Sequence, residues 1–120
     1  MKPLILKQDL SKEFWTEERC HIIESANASN DNLSIARVRV APGVTTQWHA
    51  LDATEERYII AEGRGRMEVG DLAAQDVGPG DVVLIPAGVR QRITNIGSAD
   101  LVFYCVCTPP FQPSAYRQLA

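Results

Sequence analysis

From Leu33 onward, no run of strand-forming residues goes far before Gly or Pro cuts it short. "LSIARVRV" is broken by Ala41-Pro42-Gly43, and "ERYIIAE" ends at Gly63. "RMEV" stops at the hairpin signal Gly70-Asp71, and "AAQDV" at the tight turn "GPGD" spanning 78–81. "VVLI" meets Pro86-Ala87-Gly88, "VRQRITN" meets the turn around Gly97, and "DLVFYCVC" runs into Thr108-Pro109-Pro110. Gly supplies backbone conformations that other residues avoid, and Pro cannot donate to a sheet ladder. Many short strands at nearly regular spacing predict an all-β sandwich or barrel. No long amphipathic helix separates the strands, which argues against a parallel α/β sheet.

The 120 residues suffice for one domain with one core, read here as a single unit over 1–120. Within it, 1–32 is an N-terminal segment and loop, 33–108 the barrel, and 109–120 a tail. "SKEFWTEERC" reads as a short helical turn, "CHIIE" as a short strand, "SANASNDN" as a polar loop, and "SAYRQLA" as a final helical turn. "TTQWHAL" reads as a strand, and "VVLIP" as a buried one. With 12 basic against 15 acidic residues, and the arginines scattered among carboxylates, no basic footprint for nucleic acid forms. No apolar run reaches the length of a membrane span, and the N-terminus lacks the pattern of a signal peptide. A cytoplasmic protein is expected. Cys105 and Cys107 fall on one strand face and read as small buried apolar residues in a reducing compartment.

The spacing of the punctuation is specific. Gly43 is followed by five residues and His49, then Leu51, Glu56, and after six more Gly63. Gly80 is followed by five residues and Pro86, then Gly88, Gln91 and Asn95. Together these resemble the two motifs of the cupin superfamily, Gly-x5-His-x-His-x3–4-Glu-x6-Gly and Gly-x5-Pro-x-Gly-x2-His-x3-Asn. The resemblance covers residues 43–95 in detail. It implies a double-stranded β-helix, the cupin jelly-roll barrel, usually as a homodimer. It also implies a divalent metal held by three His and one Glu at the barrel mouth. The chain departs from that set twice: Leu51 stands for the second His, and Gln91 for the His of the second motif.

Strand periodicity puts Gln47, His49 and Leu51 on one face, Glu56 and Tyr58 on another strand's face, and Val89, Gln91 and Ile93 on a third. By the resemblance these faces look into the barrel. Two readings follow. In one, His49, Glu56 and Gln91 hold Zn²⁺, Ni²⁺, Mn²⁺ or Fe²⁺, with open positions for a small oxygenated substrate. Dioxygenase, isomerase or epimerase, and lyase chemistry belong to that reading, and even without a metal His49 and Glu56 remain a candidate catalytic acid/base pair. In the other, the pocket is metal-free: His49, Glu56 and Gln91 satisfy one another, and the domain binds a small molecule without turning it over. Gln47, Leu51, Tyr58 and Phe103 are expected to line the pocket in either case. Trp48 and Tyr104 read equally as pocket or packing residues. His21 lies outside the motifs and reads as a surface or satisfied residue. Arg37 and Arg39 share a face that reads as solvated, with Ala36, Val38 and Val40 in the core, or, if that face is the cavity, as a bidentate clamp for an anionic substrate.

Overall fold

A computed structural model describes residues 1–28 and 31–120. Eleven strands are described: β1 Phe14–Thr16, β2 Cys20–Ala26, β3 Ser34–Val40, β4 His49–Leu51, β5 Glu55–Glu62, β6 Gly65–Val69, β7 Gln75–Val77, β8 Val82–Ile85, β9 Gln91–Asn95, β10 Leu101–Thr108 and β11 Tyr116–Gln118. They form two antiparallel sheets in the orders β1-β2-β3-β10-β5-β8 and β11-β4-β9-β6-β7. The architecture is the double-stranded β-helix that the resemblance implies, within the all-β class read from the turns.

The alternation of the sequence becomes the two surfaces of each sheet. On β5, Glu56, Tyr58 and Ile60 turn inward and are buried, while Glu55, Arg57 and Ile59 are exposed. On β3, Val38 and Val40 enter the core. Arg37 and Arg39 stay on the outer surface, where both pair with Glu13 at 3.2 and 2.7 Å. Phe103, Ile60, Ile93 and Leu101 fill the space between the sheets. Burying each such side chain stabilises the fold by about 1.5–3 kcal/mol. Cys20, Cys105 and Cys107 are buried free thiols, consistent with their reading as small core residues.

Gly63 shows why the turn positions are constrained. Its φ is +82°, and a Cβ placed there would lie 2.6 Å from the backbone oxygen of Asp100. Any side chain would meet both the left-handed backbone and a fixed carbonyl.

Four local expectations need correction. In "SKEFWTEERC" only Leu10–Lys12 forms a 3₁₀ turn, and Phe14–Thr16 is a strand. Pairing with β2 satisfies its backbone groups, and the aromatic and β-branched residues suit the ladder. The tail makes a 3₁₀ turn at Pro113–Ala115, but Tyr116–Gln118 then pairs with β4 as a strand. Within "TTQWHAL" only His49–Leu51 is a strand, preceded by an isolated bridge from Thr45 to Thr94. "VVLI" is half-buried: Val83 and Ile85 face inward, whereas Val82 and Leu84 are exposed. It is the outermost strand of its sheet, and no layer covers its outer face among the described residues. Of the loop read at 25–32, positions 29 and 30 lie outside the described residues. No described helix is long and apolar enough to cross a membrane.

Candidate functional site

β4 and β9 lie side by side with His49 opposite Gln91, and β5 brings Glu56 and Tyr58 in from the other sheet. Between them opens a narrow cavity with about 60 Å³ of room at the scale of a water molecule. One water needs about 10–15 Å³ on that measure, so the space fits a handful of waters or a small organic head group.

Gln91 stands behind its inner wall and joins two of the lining residues. Its Nε2 donates to Glu56 Oε1 at 2.6 Å, and its Oε1 accepts from the Tyr58 hydroxyl at 2.5 Å. Gln91 has no exposure, and Glu56 and Tyr58 retain 6% and 4%. The second oxygen of Glu56 lies 3.8 Å from the Cys107 thiol, which donates to it. Tyr58 stacks on Phe103 with ring centres 4.3 Å apart. A buried polar group without a partner costs about 1–3 kcal/mol, and this chain of bonds removes that cost.

His49 is fixed separately. Its Nδ1 lies 2.8 Å from the backbone oxygen of Gln47. A carbonyl only accepts, so Nδ1 carries the hydrogen, and in the neutral ring Nε2 keeps the lone pair. Nε2 sits 3.5 Å from Glu18 Oε1, and the ring stacks on Tyr116 at 5.3 Å.

Burial sets the charge state of the carboxyls. Desolvation pushes Glu56 above the usual carboxylate range, against the opposing pull of the Gln91 hydrogen bond and of His49. Glu18 is raised too, first by desolvation and then by the neighbouring Glu56 and Glu24, with His49 opposing. Burial likewise raises the thiols, Cys20 to about 12 and Cys105 further, so none is a ready nucleophile.

Of the residues expected from sequence, His49, Leu51, Glu56, Tyr58 and Phe103 all line the cavity. Gln91 reaches it through Glu56 and Tyr58. Gln47 does not line it; its carbonyl holds His49, and its backbone N–H donates to the backbone oxygen of Glu18 at 3.0 Å. Tyr104 lies off the cavity, and Trp48 is packed under Arg92 at 4.3 Å and Arg90 at 5.1 Å. His21 packs edge-on against Trp15 at 5.0 Å, away from the cavity, and its Nδ1 has no hydrogen-bond partner among the described residues. Sequence reasoning missed Glu18, Glu24 and Phe111, which also line the space. The alternation Glu18, Cys20, Ile22, Glu24 was the available signal, hidden because the first half of that stretch read as a helical turn.

The donor set does not fit a divalent ion as arranged. The amide oxygen of Gln91 already accepts from Tyr58, and its other end presents hydrogens to Glu56. Among the described residues, no group of three or more His, Cys, Asp or Glu side chains is placed to hold an ion. What the arrangement offers is one imidazole lone pair and several carboxyls in a small space with aromatic walls.

Residues 36–107 match the sequence pattern of the cupin domain family. An uncharacterised protein of Methanocaldococcus jannaschii is 37% identical over 78 residues, which is 65% of this chain and 62% of that protein. The chain thus spans less than two thirds of that relative. The Cupin 2 conserved barrel domain protein of Salinispora arenicola superposes with a TM-score of 0.75 at 21% identity, over 96% of this chain and 93% of that one. A predicted oxalate decarboxylase of Thermotoga maritima superposes with a TM-score of 0.68 at 24% identity, over 74% and 79% of the two chains.

Proposed function

Since the chain belongs to the cupin domain family, we propose that it is a small-molecule-binding cupin whose cavity works through protein groups alone. The observation that carries this reading is Gln91. It replaces the His of the second motif, and both ends of its amide are bonded to Glu56 and Tyr58. Freeing it for a metal would leave Tyr58 and Glu56 short of a partner inside the core.

His49 is the ligand-facing group in this reading, with Glu18 beside it to exchange a proton. Glu56 holds the inner wall rather than reacting. Oxalate, named for the Thermotoga protein, is a poor match for this cavity. A dianion would meet Glu18, Glu24 and Glu56, and no Lys or Arg lines the space among the described residues.

Elemental analysis of the purified chain, with calorimetric titration of Zn²⁺, Ni²⁺, Mn²⁺ and Fe²⁺, tests the reading. The expected result is no stoichiometric ion and affinities weaker than micromolar. A tight one-to-one ion that His49→Ala abolishes would overturn it and favour the metal-dependent reading.

A further inference from the structure

The cavity continues outward into a wider mouth of about 330 Å³ that shares Glu18, Ile22, Glu24 and Phe111 with it. Glu17 joins at this outer level, together with the rings of Phe14 and Tyr116. From mouth to floor the path passes four carboxyls and no Lys or Arg among the described residues. An acidic lining alone says little. The decisive group is His49, which is 4% exposed and faces the cavity with an acceptor.

Its Nδ1 hydrogen is committed to the Gln47 carbonyl, so Nε2 needs a donor. No hydrogen bond within the described residues reaches Nε2, and Glu18 Oε1, at 3.5 Å, lies farther off than the roughly 3.2 Å limit of a good hydrogen bond. The inner end of the cavity thus gathers acceptor oxygens and nitrogen: the imidazole lone pair, the Glu18 carboxyl and the remaining lone pairs of Glu56. The stacked rings of Tyr58 and Phe103 add an apolar wall. A ligand that matches must bring several N–H donors, a positive charge and a modest apolar body.

We propose that the cavity binds a small primary amine in its ammonium form, with the head group between His49 Nε2 and Glu18 and the carbon body against Tyr58 and Phe103. An ammonium group has three donors and no acceptor, the complement of what the inner wall presents. An alcohol supplies one donor, and a carboxylate supplies none while bringing its own negative charge to a lining of Glu18, Glu24 and Glu56. The assignment rests on the proposed metal-free binding reading and names the ligand class of that site.

Calorimetry on the full chain, dialysed against a chelator, would compare isobutylamine, isobutanol and isobutyrate at neutral pH. These share a branched four-carbon skeleton and differ in charge. The ammonium should bind at least about tenfold more tightly than the alcohol, a difference of about 1.4 kcal/mol, and the carboxylate should give no binding. Glu18→Gln should lower ammonium affinity by about tenfold or more and leave the alcohol within about threefold. Should Glu18→Gln fail to fold by circular dichroism, the ranking of the three probes on the wild-type chain decides alone. Equal binding of amine and alcohol, or preference for the carboxylate, overturns the ammonium assignment while leaving the cavity a small-molecule site. Binding of none of the probes removes both readings.

Discussion

The side-chain amide of Gln91 bridges Glu56 and Tyr58, donating to one at 2.6 Å and accepting from the other at 2.5 Å. Where the cupin motif carries an imidazole aimed at a metal, this chain carries an amide closed on its own neighbours. The bridge joins β9 of one sheet to β5 of the other, so it also ties the sheets together behind the cavity.

Restoring the missing imidazoles should convert the cavity into a metal site. Leu51 lines the same space as His49 and Glu56, and Gln91 contacts Glu56 directly. The double variant Leu51→His, Gln91→His replaces an apolar side chain and a committed amide with good donors for first-row metals. Affinity for Zn²⁺ or Ni²⁺ should rise at least about a hundredfold, or about 2.7 kcal/mol. Titration calorimetry reads this directly. A folded variant without gain would mean that positions 51 and 91 do not share a centre with His49 and Glu56.

The Glu56 carboxyl should make stability depend on pH in a defined direction. Its folded-state value is raised above the ordinary 4.5, chiefly by burial. Between the unfolded and the raised folded value the native state holds more protons than the unfolded state, so stability falls as pH rises through that window. Glu56→Gln stays neutral and can still accept from the Gln91 amide. Its melting temperature should therefore gain on the wild type as pH increases from about 4 to 8, with the two converging at the acid end. A constant offset across that range would show that Glu56 does not titrate abnormally.

Asn95 should prove a stability residue rather than a ligand. Its Nδ2 donates to the backbone oxygens of Val40 and Ala99 at 2.9 and 2.8 Å, and its Oδ1 accepts from the Gly97 amide at 2.9 Å. It is 1% exposed. Asn95→Ala strands these backbone groups and should cost about 2–4 kcal/mol in chemical denaturation, given about 1 kcal/mol per bond plus desolvation. A loss below about 0.5 kcal/mol would contradict the clamp.

A second copy is the expected cover for the outer face of the larger sheet. Ile59, Val82 and Leu84 are 43%, 55% and 64% exposed there, and Leu4, Ile5 and Leu6 are exposed on the N-terminal segment. β8 is also the outermost strand of its sheet, with unpaired backbone groups to hide. Light scattering should give a dimer at micromolar concentration, and Val82→Glu with Leu84→Glu should yield a folded monomer. A monomeric wild type ends this expectation.

The sequence by itself determined where strands stop and which side chains turn inward. Gly43, Gly63, Gly80 and Gly88 all take positive φ, a backbone state that favours glycine wherever it occurs. A period of two groups residues onto faces with equal locality, and the cupin resemblance then marked the faces of Glu56, Tyr58 and Gln91 as interior. What the tertiary structure alone decided is which interior groups touch. Gln91 could have faced an ion or bonded its neighbours, and the choice depends on how closely β5 and β9 approach across the barrel, a separation no local pattern encodes. The same holds for Glu18, carried into the cavity by the pairing of β1 and β2, and for Tyr116, recruited when β11 took the free edge of β4. Strand propensity is a property of neighbours along the chain; edge pairing and buried hydrogen bonds are properties of neighbours in space.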